Sequence, residues 1–167
     1  MKAKLISFIL LSFLTIICFG QEKCNCCSDS NQQFDFWIGD WIVKDTTGTV
    51  VGENRISKIE DDCVVLEQWK GNGGSTGTSM NYYNKLDKTW NQLWVDNQAN
   101  ILKLKGDFTS GEMVLKSDLI KGDKGDYYNQ ITWSENKDGT VMQLWEVLDV
   151  SNNPLKTLFL GIYHRKQ

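Results

Sequence analysis

The sequence predicts an all-β protein: about ten short antiparallel strands closing into an up-and-down β-barrel, with an N-terminal plug segment. Three observations predict it. Period-two alternation of apolar and polar residues recurs between turn signals, whereas no apolar i, i+3, i+4 pattern is sustained beyond the first twenty residues. Glycines and asparagines fall at turn spacing, and Pro154 is the only proline. Finally, Phe34-Asp35-Phe36-Trp37-Ile38-Gly39-Asp40-Trp41 crowds large rings around one glycine, which reads as a plug bending into the first strand.

Residues 1–20 carry Lys2 and Lys4 ahead of an apolar run from Leu5 to Ile17, the pattern of a secretory signal peptide. Gly20 precedes the expected cleavage point. Lipidation at Cys18 is disfavoured, because Ile17 stands where that processing needs a small side chain. Removing residues 1–20 takes two lysines and no acid, moving the formal charge from −3 to −5. An acidic chain without a basic run is unsuited to nucleic acid or an anionic membrane, and no other stretch reaches the length of a membrane-spanning helix. The expected product is periplasmic or extracellular, with a Cys-rich segment over 21–33 and a single barrel domain over 34–167.

Four cysteines remain after cleavage: Cys24, Cys26, Cys27 and Cys63. In an oxidising compartment they read as disulfide partners, and a bridge from the cluster to Cys63 would staple the plug to the barrel. Which member of the cluster is used stays open. A soft thiolate metal site is the alternative, but the spacing lacks the paired Cys-x-x-Cys arms of a closed zinc centre. No metal or cofactor is assigned.

The alternation places strands over residues 41–45, 50–58, 63–70, 78–84, 89–95, 100–106, 112–117, 129–134, 140–148 and 155–166. Short connections between them favour a meander, and closure removes its exposed edges. The stretch Gly71-Asn72-Gly73-Gly74-Ser75-Thr76-Gly77 leads into a strand with no following lysine, so it reads as a hairpin loop, not a phosphate cradle.

An internal echo points to the candidate site. Residues 85–94 and 136–145 share Asp, Thr and Gln-Leu-Trp at equal offsets, each copy a tight turn entering a strand. Alternation puts Gln92 with Trp94, and Gln143 with Trp145, on single strand faces. An amide beside an indole is poor material for a dry core but suits a lumen wall, where the ring supplies apolar contact and the amide fixes a polar end. Similar reasoning groups Glu67 with Trp69, Asn54 with Ile56, and Ser79, Asn81 and Tyr83 together. A lumen-facing Glu67 would have its pKa raised by desolvation, which makes it a weak candidate for a proton acceptor; exposure or pairing with Lys70 or Arg55 is the alternative. Asp96 and Glu146 read as turn or solvent-facing residues. His164, the only histidine, sits among Tyr163, Arg165 and Lys166 and reads as a solvated strand end, with haem ligation as its alternative.

The opening motif, together with Cys63-Val64-Val65-Leu66-Glu67-Gln68-Trp69, Gly77-Thr78-Ser79-Met80-Asn81-Tyr82-Tyr83, Trp90-Asn91-Gln92-Leu93-Trp94-Val95-Asp96 and Phe159-Leu160-Gly161-Ile162-Tyr163, resembles a bacterial family of secreted proteins of unknown function with a lipocalin-like fold. The resemblance covers residues 34–166. It implies a calycin-type barrel with a cavity for a small hydrophobic or amphipathic molecule. The histidine of haem-binding proteins of similar shape has no counterpart at a matching motif.

The residues thus nominate a barrel that binds a small hydrophobic or aromatic ligand. Trp69, Trp94, Trp145 and Tyr83 would be its walls, and Glu67, Asn81, Gln92 and Gln143 its polar anchors. Two other readings use the same fold: an isomerase- or hydrolase-type enzyme with Glu67 as general base, and an envelope protein whose lumen is packed shut.

Overall fold

The computed structural model describes residues 24–167. The expected signal peptide, with its cleavage point, lies outside the described residues. A four-residue helix α1 (Asp29–Gln32) and a 3-10 turn (Asp35–Trp37) precede ten strands: β1 (Gly39–Lys44), β2 (Val50–Ile59), β3 (Val64–Gly71), β4 (Thr76–Asn84), β5 (Thr89–Asp96), β6 (Ile101–Thr109), β7 (Glu112–Lys116), β8 (Tyr128–Glu135), β9 (Val141–Leu148) and β10 (Pro154–Arg165). Each strand pairs antiparallel with the next, and β10 returns to β1, with Trp41 opposite Arg165 and Lys44 opposite Ile162. The sheet is a closed up-and-down barrel, so no ladder edge faces solvent along its length.

Strands β1, β4 and β6 extend by two or three residues beyond the sequence expectation. Residues 76 and 77, expected in the loop, belong to β4, because the hairpin closes early: the Gly71 amide donates to the Ser75 carbonyl (2.8 Å). Asn97 then holds the start of the strand, its Oδ1 accepting from the Thr76 amide at 3.2 Å. Strand β6 runs to Thr109 because Phe108 still pairs with Met113 and lies 6.2 Å from the Phe36 ring.

The plug closes one end. Phe34 and Trp37, both fully buried, stack at 4.9 Å. Around Phe34 stand Trp90 at 5.6 Å and Trp133 at 5.2 Å, both edge-on, the favoured approach of a ring edge to a π face. Polar contacts orient this cluster: Trp41 Nε1 donates to the Trp37 carbonyl (2.8 Å), Trp90 Nε1 to Gln33 Oε1 (3.1 Å), and Lys58 Nζ lies 2.7 Å from Asp35. Gly39 makes the bend from plug to β1. Its φ is +151°, and a Cβ there would lie 2.6 Å from the guanidinium of Arg165, which donates to the Ile38 carbonyl and covers the Trp41 ring.

Disulfides tie the plug down. Cys26 pairs with Cys63 across 37 residues, at the turn between β2 and β3 on the closed end, and Cys24 pairs with Cys27. The open member of the sequence reading is therefore Cys26, and all four sulfurs are consumed in bridges. The loop closed by Cys26–Cys63 is far longer than that closed by Cys24–Cys27, so it restricts the unfolded chain more. We expect Cys26→Ser with Cys63→Ser to lose about 4 kcal/mol in guanidinium unfolding, and Cys24→Ser with Cys27→Ser to lose clearly less; equal losses would contradict the staple.

Candidate functional site

The closed end leaves the opposite end of the lumen unfilled. A cavity of about 380 Å³ lies there, lined by Val51, Glu67, Trp69, Ser75, Gln92, Trp94, Leu102, Ile131, Gln143, Trp145, Leu158, Phe159 and Tyr163. Its size is that of a small-molecule site. A wider vestibule continues outward past Asp96, Asn100, Tyr127, Asn129 and Lys156.

The walls are aromatic. Trp37, Trp41, Trp90 and Trp133 are buried at the closed end, whereas Trp69, Trp94 and Trp145 stay half-exposed around the cavity. Trp94 can lie flat against β4 because Gly77 has no side chain; a Cβ there would overlap the indole ring. Trp145 is set by a hydrogen bond from Nε1 to Asn129 Oδ1 (2.9 Å), and Trp69 meets Phe159 edge-on at 5.9 Å.

The floor is polar and directional. The Val65 carbonyl accepts from Asn81 Nδ2 (3.0 Å), so the Asn81 oxygen must face away, where it accepts from Gln92 Nε2 (2.8 Å). Gln92 is thereby turned with its carbonyl free. Ser79 Oγ accepts from Asn81 (2.9 Å) and donates to Glu67 Oε2 (2.6 Å), while Asn54 Nδ2 donates to Glu67 Oε1 (2.7 Å). Across the lumen Tyr163 donates to Gln143 Oε1, which leaves the Gln143 amide N–H groups without a protein partner. The floor thus offers one amide acceptor, one amide donor and a carboxyl group.

Glu67 is 4% exposed. Burial pushes its carboxyl above the ordinary 4.5, against the hydrogen bonds from Ser79 and Asn54 that favour the charged form. Tyr163 is held well above its ordinary 10, by burial first and by the neighbouring Glu67 charge second. The Asn54 carbonyl oxygen is buried without a partner. Turning that amide over would set the oxygen against Glu67 Oε1, the arrangement a protonated carboxyl needs.

The sequence-nominated residues divide into three groups. Glu67, Trp69, Gln92, Trp94, Gln143 and Trp145 come together on the cavity surface. Asn81 lies one layer beneath and orients Gln92. Tyr83 requires correction as a wall: two residues beyond Asn81, it lies farther toward the closed end, its ring 6.1 Å from Trp90. Glu67 pairs with neither Lys70 nor Arg55; Arg55 faces Asp40 at 3.7 Å. His164 alternates with lumen-facing Tyr163 on β10 and so stands outside the barrel wall, away from the cavity. Asp96 caps the turn after β5, accepting from the Gln98 and Asn100 amides. Tyr163 and Phe159 were missed as lining, although alternation through Phe159-Leu160-Gly161-Ile162-Tyr163 places them on one face. Leu158 joins them because the register of β10 against β9 shifts between Thr157 and Phe159.

No family model matches the chain, and no curated protein matches it.

The raised carboxyl has a consequence for stability. In the window above pH 4.5 the folded chain holds the Glu67 proton more tightly than the unfolded chain does, so unfolding releases it. This contribution is complete below 4.5 and is lost as pH rises through the folded-state pKa. Exposed carboxylates such as Asp96 and Asp149, whose pKa values are lowered, act in the opposite sense and at lower pH. Denaturant unfolding of the wild type and Glu67→Gln between pH 4.5 and 8 is expected to show wild-type stability falling relative to the variant; parallel curves would contradict it.

Proposed function

We propose that the protein is an exported binding protein that takes a small hydrophobic or aromatic molecule into the open end of its barrel. The observation that carries this reading is the unequal use of tryptophan. Four indoles are buried at one end of the lumen, while three are left half-exposed around a cavity with a polar floor. A purely structural barrel gains nothing from leaving apolar surface of this kind uncovered. The packed-lumen reading describes only the closed half. An apolar body between Trp69, Trp94 and Trp145 with a polar end on Gln92, Gln143 or Glu67 matches the lining.

Export is supported by the two disulfides, which suit an oxidising compartment, and by the apolar leader pattern of the sequence. Among the described residues no helix is long and apolar enough to cross a membrane. The motif order and the ten-stranded closure support placing the chain with the lipocalin-like bacterial secreted family it resembles. A general-base role would rest on Glu67, since among the described residues Tyr163 is the only other titrating side chain on the cavity lining.

Titration with the neutral fluorescent probe N-phenyl-1-naphthylamine tests the reading. Trp94→Ala and Trp145→Ala are each expected to weaken probe binding about tenfold. Their melting temperatures should stay well above that of Trp133→Ala, whose buried indole is worth about 3–5 kcal/mol. Unchanged binding, or binding lost only in step with folding, would refute the cavity as the site.

A further inference from the structure

The floor of the cavity holds a carboxyl group equipped for charge but given no counter-charge. Both Glu67 oxygens accept hydrogen bonds, from Asn54 Nδ2 at 2.7 Å and Ser79 Oγ at 2.6 Å, which is the solvation an ionised carboxylate needs. Yet the groups facing it are neutral on every side: Asn54 from β2, Ser79 from β4, Gln92 from β5, and Gln143 and Tyr163 from β9 and β10 across the lumen. Among the described residues no lysine, arginine or histidine lines the inner cavity, and Lys156 lines only the outer vestibule, which Asp96 also lines. A buried carboxylate so placed is incomplete until a cation joins it. Above it stand three indoles and a phenyl ring, whose faces attract cations. The free Gln92 carbonyl adds a further acceptor.

We propose that the ligand of this cavity is an organic monocation, an ammonium group on a flat apolar body, with the charged head against Glu67 and Gln92 and the body between Trp69, Trp94 and Trp145. This rests on the open end being a binding site, and it adds the ligand's charge. The association has a defined proton balance. At a pH below the Glu67 transition the protonated carboxyl releases its proton to the medium on binding, the ammonium keeps its own, and an N–H of the ligand donates to the carboxylate; no covalent bond to carbon changes. Affinity therefore rises with pH as Glu67 is freed of its proton, until the amine itself deprotonates. A ligand that accepted a hydrogen bond from the neutral carboxyl would show the opposite slope.

Three probes of one shape separate these cases: 2-(1-naphthyl)ethylammonium, 2-(1-naphthyl)ethanol and 1-naphthylacetate, each competed against N-phenyl-1-naphthylamine and titrated by calorimetry on the full mature chain. The ammonium is expected to bind about tenfold or more tighter than the alcohol, and the acetate weakest. Titrations in two buffers of different ionisation heat, both effective at a pH below the Glu67 transition, should differ by the buffer heat of about one proton released per ligand. Glu67→Gln should bring the ammonium and alcohol level and abolish the proton release, with its melting curve recorded alongside to confirm folding. If the alcohol or the acetate equals the ammonium while displacing the probe, the cationic ligand is overturned and the binding site stands. If none of the three competes but the probe itself binds, the inference again fails alone. If the probe does not bind either, both fall together.

Discussion

The structure depends on the stack of Phe34 on Trp37 inside one end of the barrel. Ten short strands can close around a lumen, but a lumen of this width needs filling, and the strand side chains alone do not fill it. The plug supplies two rings from outside the sheet, and Trp90 and Trp133 meet them edge-on. Once that end is packed, the barrel is asymmetric. Hydrophobic burial is concentrated at the closed end, where the Cys26–Cys63 bridge and the Lys58–Asp35 pair also lie. The other end is relieved of a packing role, so polar and half-exposed residues can be kept there without loss of the fold.

That freedom is used in an ordered way. The floor is a chain of hydrogen bonds whose direction is set at one point, the Val65 carbonyl, because a backbone oxygen can only accept. From there Asn81, Gln92 and Ser79 have no choice of orientation, and Ser79 is obliged to spend its proton on Glu67. A network of this kind presents fixed donors and acceptors to the cavity before any ligand arrives, which lowers the ordering cost of binding. Among the described residues of this network, Asn54 has a fully buried oxygen without a partner, and it adjoins the carboxyl of Glu67.

Much of this was legible in the chain because a barrel strand is a local object. Alternation set the faces of Gln92, Trp94, Gln143 and Trp145, and the repeated Asp-x-Thr turn entering both strands has the same geometry in each copy, with Asp87 holding Thr89 and Asp138 holding Thr140 through both amide and hydroxyl. Depth along the barrel was not legible. Tyr83 and Ser79 share a face of β4, yet one lies toward the plug and the other beneath the cavity; which end of the strand the plug closes is set by how the strands assemble, which no single strand encodes. The choice of Cys26 over its neighbours was equally closed to the sequence, since three adjacent candidates differ only in how the chain turns around them.

The central claim is that one end of the lumen is sealed and the other is open to a small molecule. The seven indole N–H groups report on it separately in a 1H–15N correlation spectrum of the labelled protein. On addition of N-phenyl-1-naphthylamine, the account predicts shifts at Trp69, Trp94 and Trp145, with Trp37, Trp41, Trp90 and Trp133 unmoved. Shifts spread evenly over all seven, or confined to the closed-end four, would contradict it.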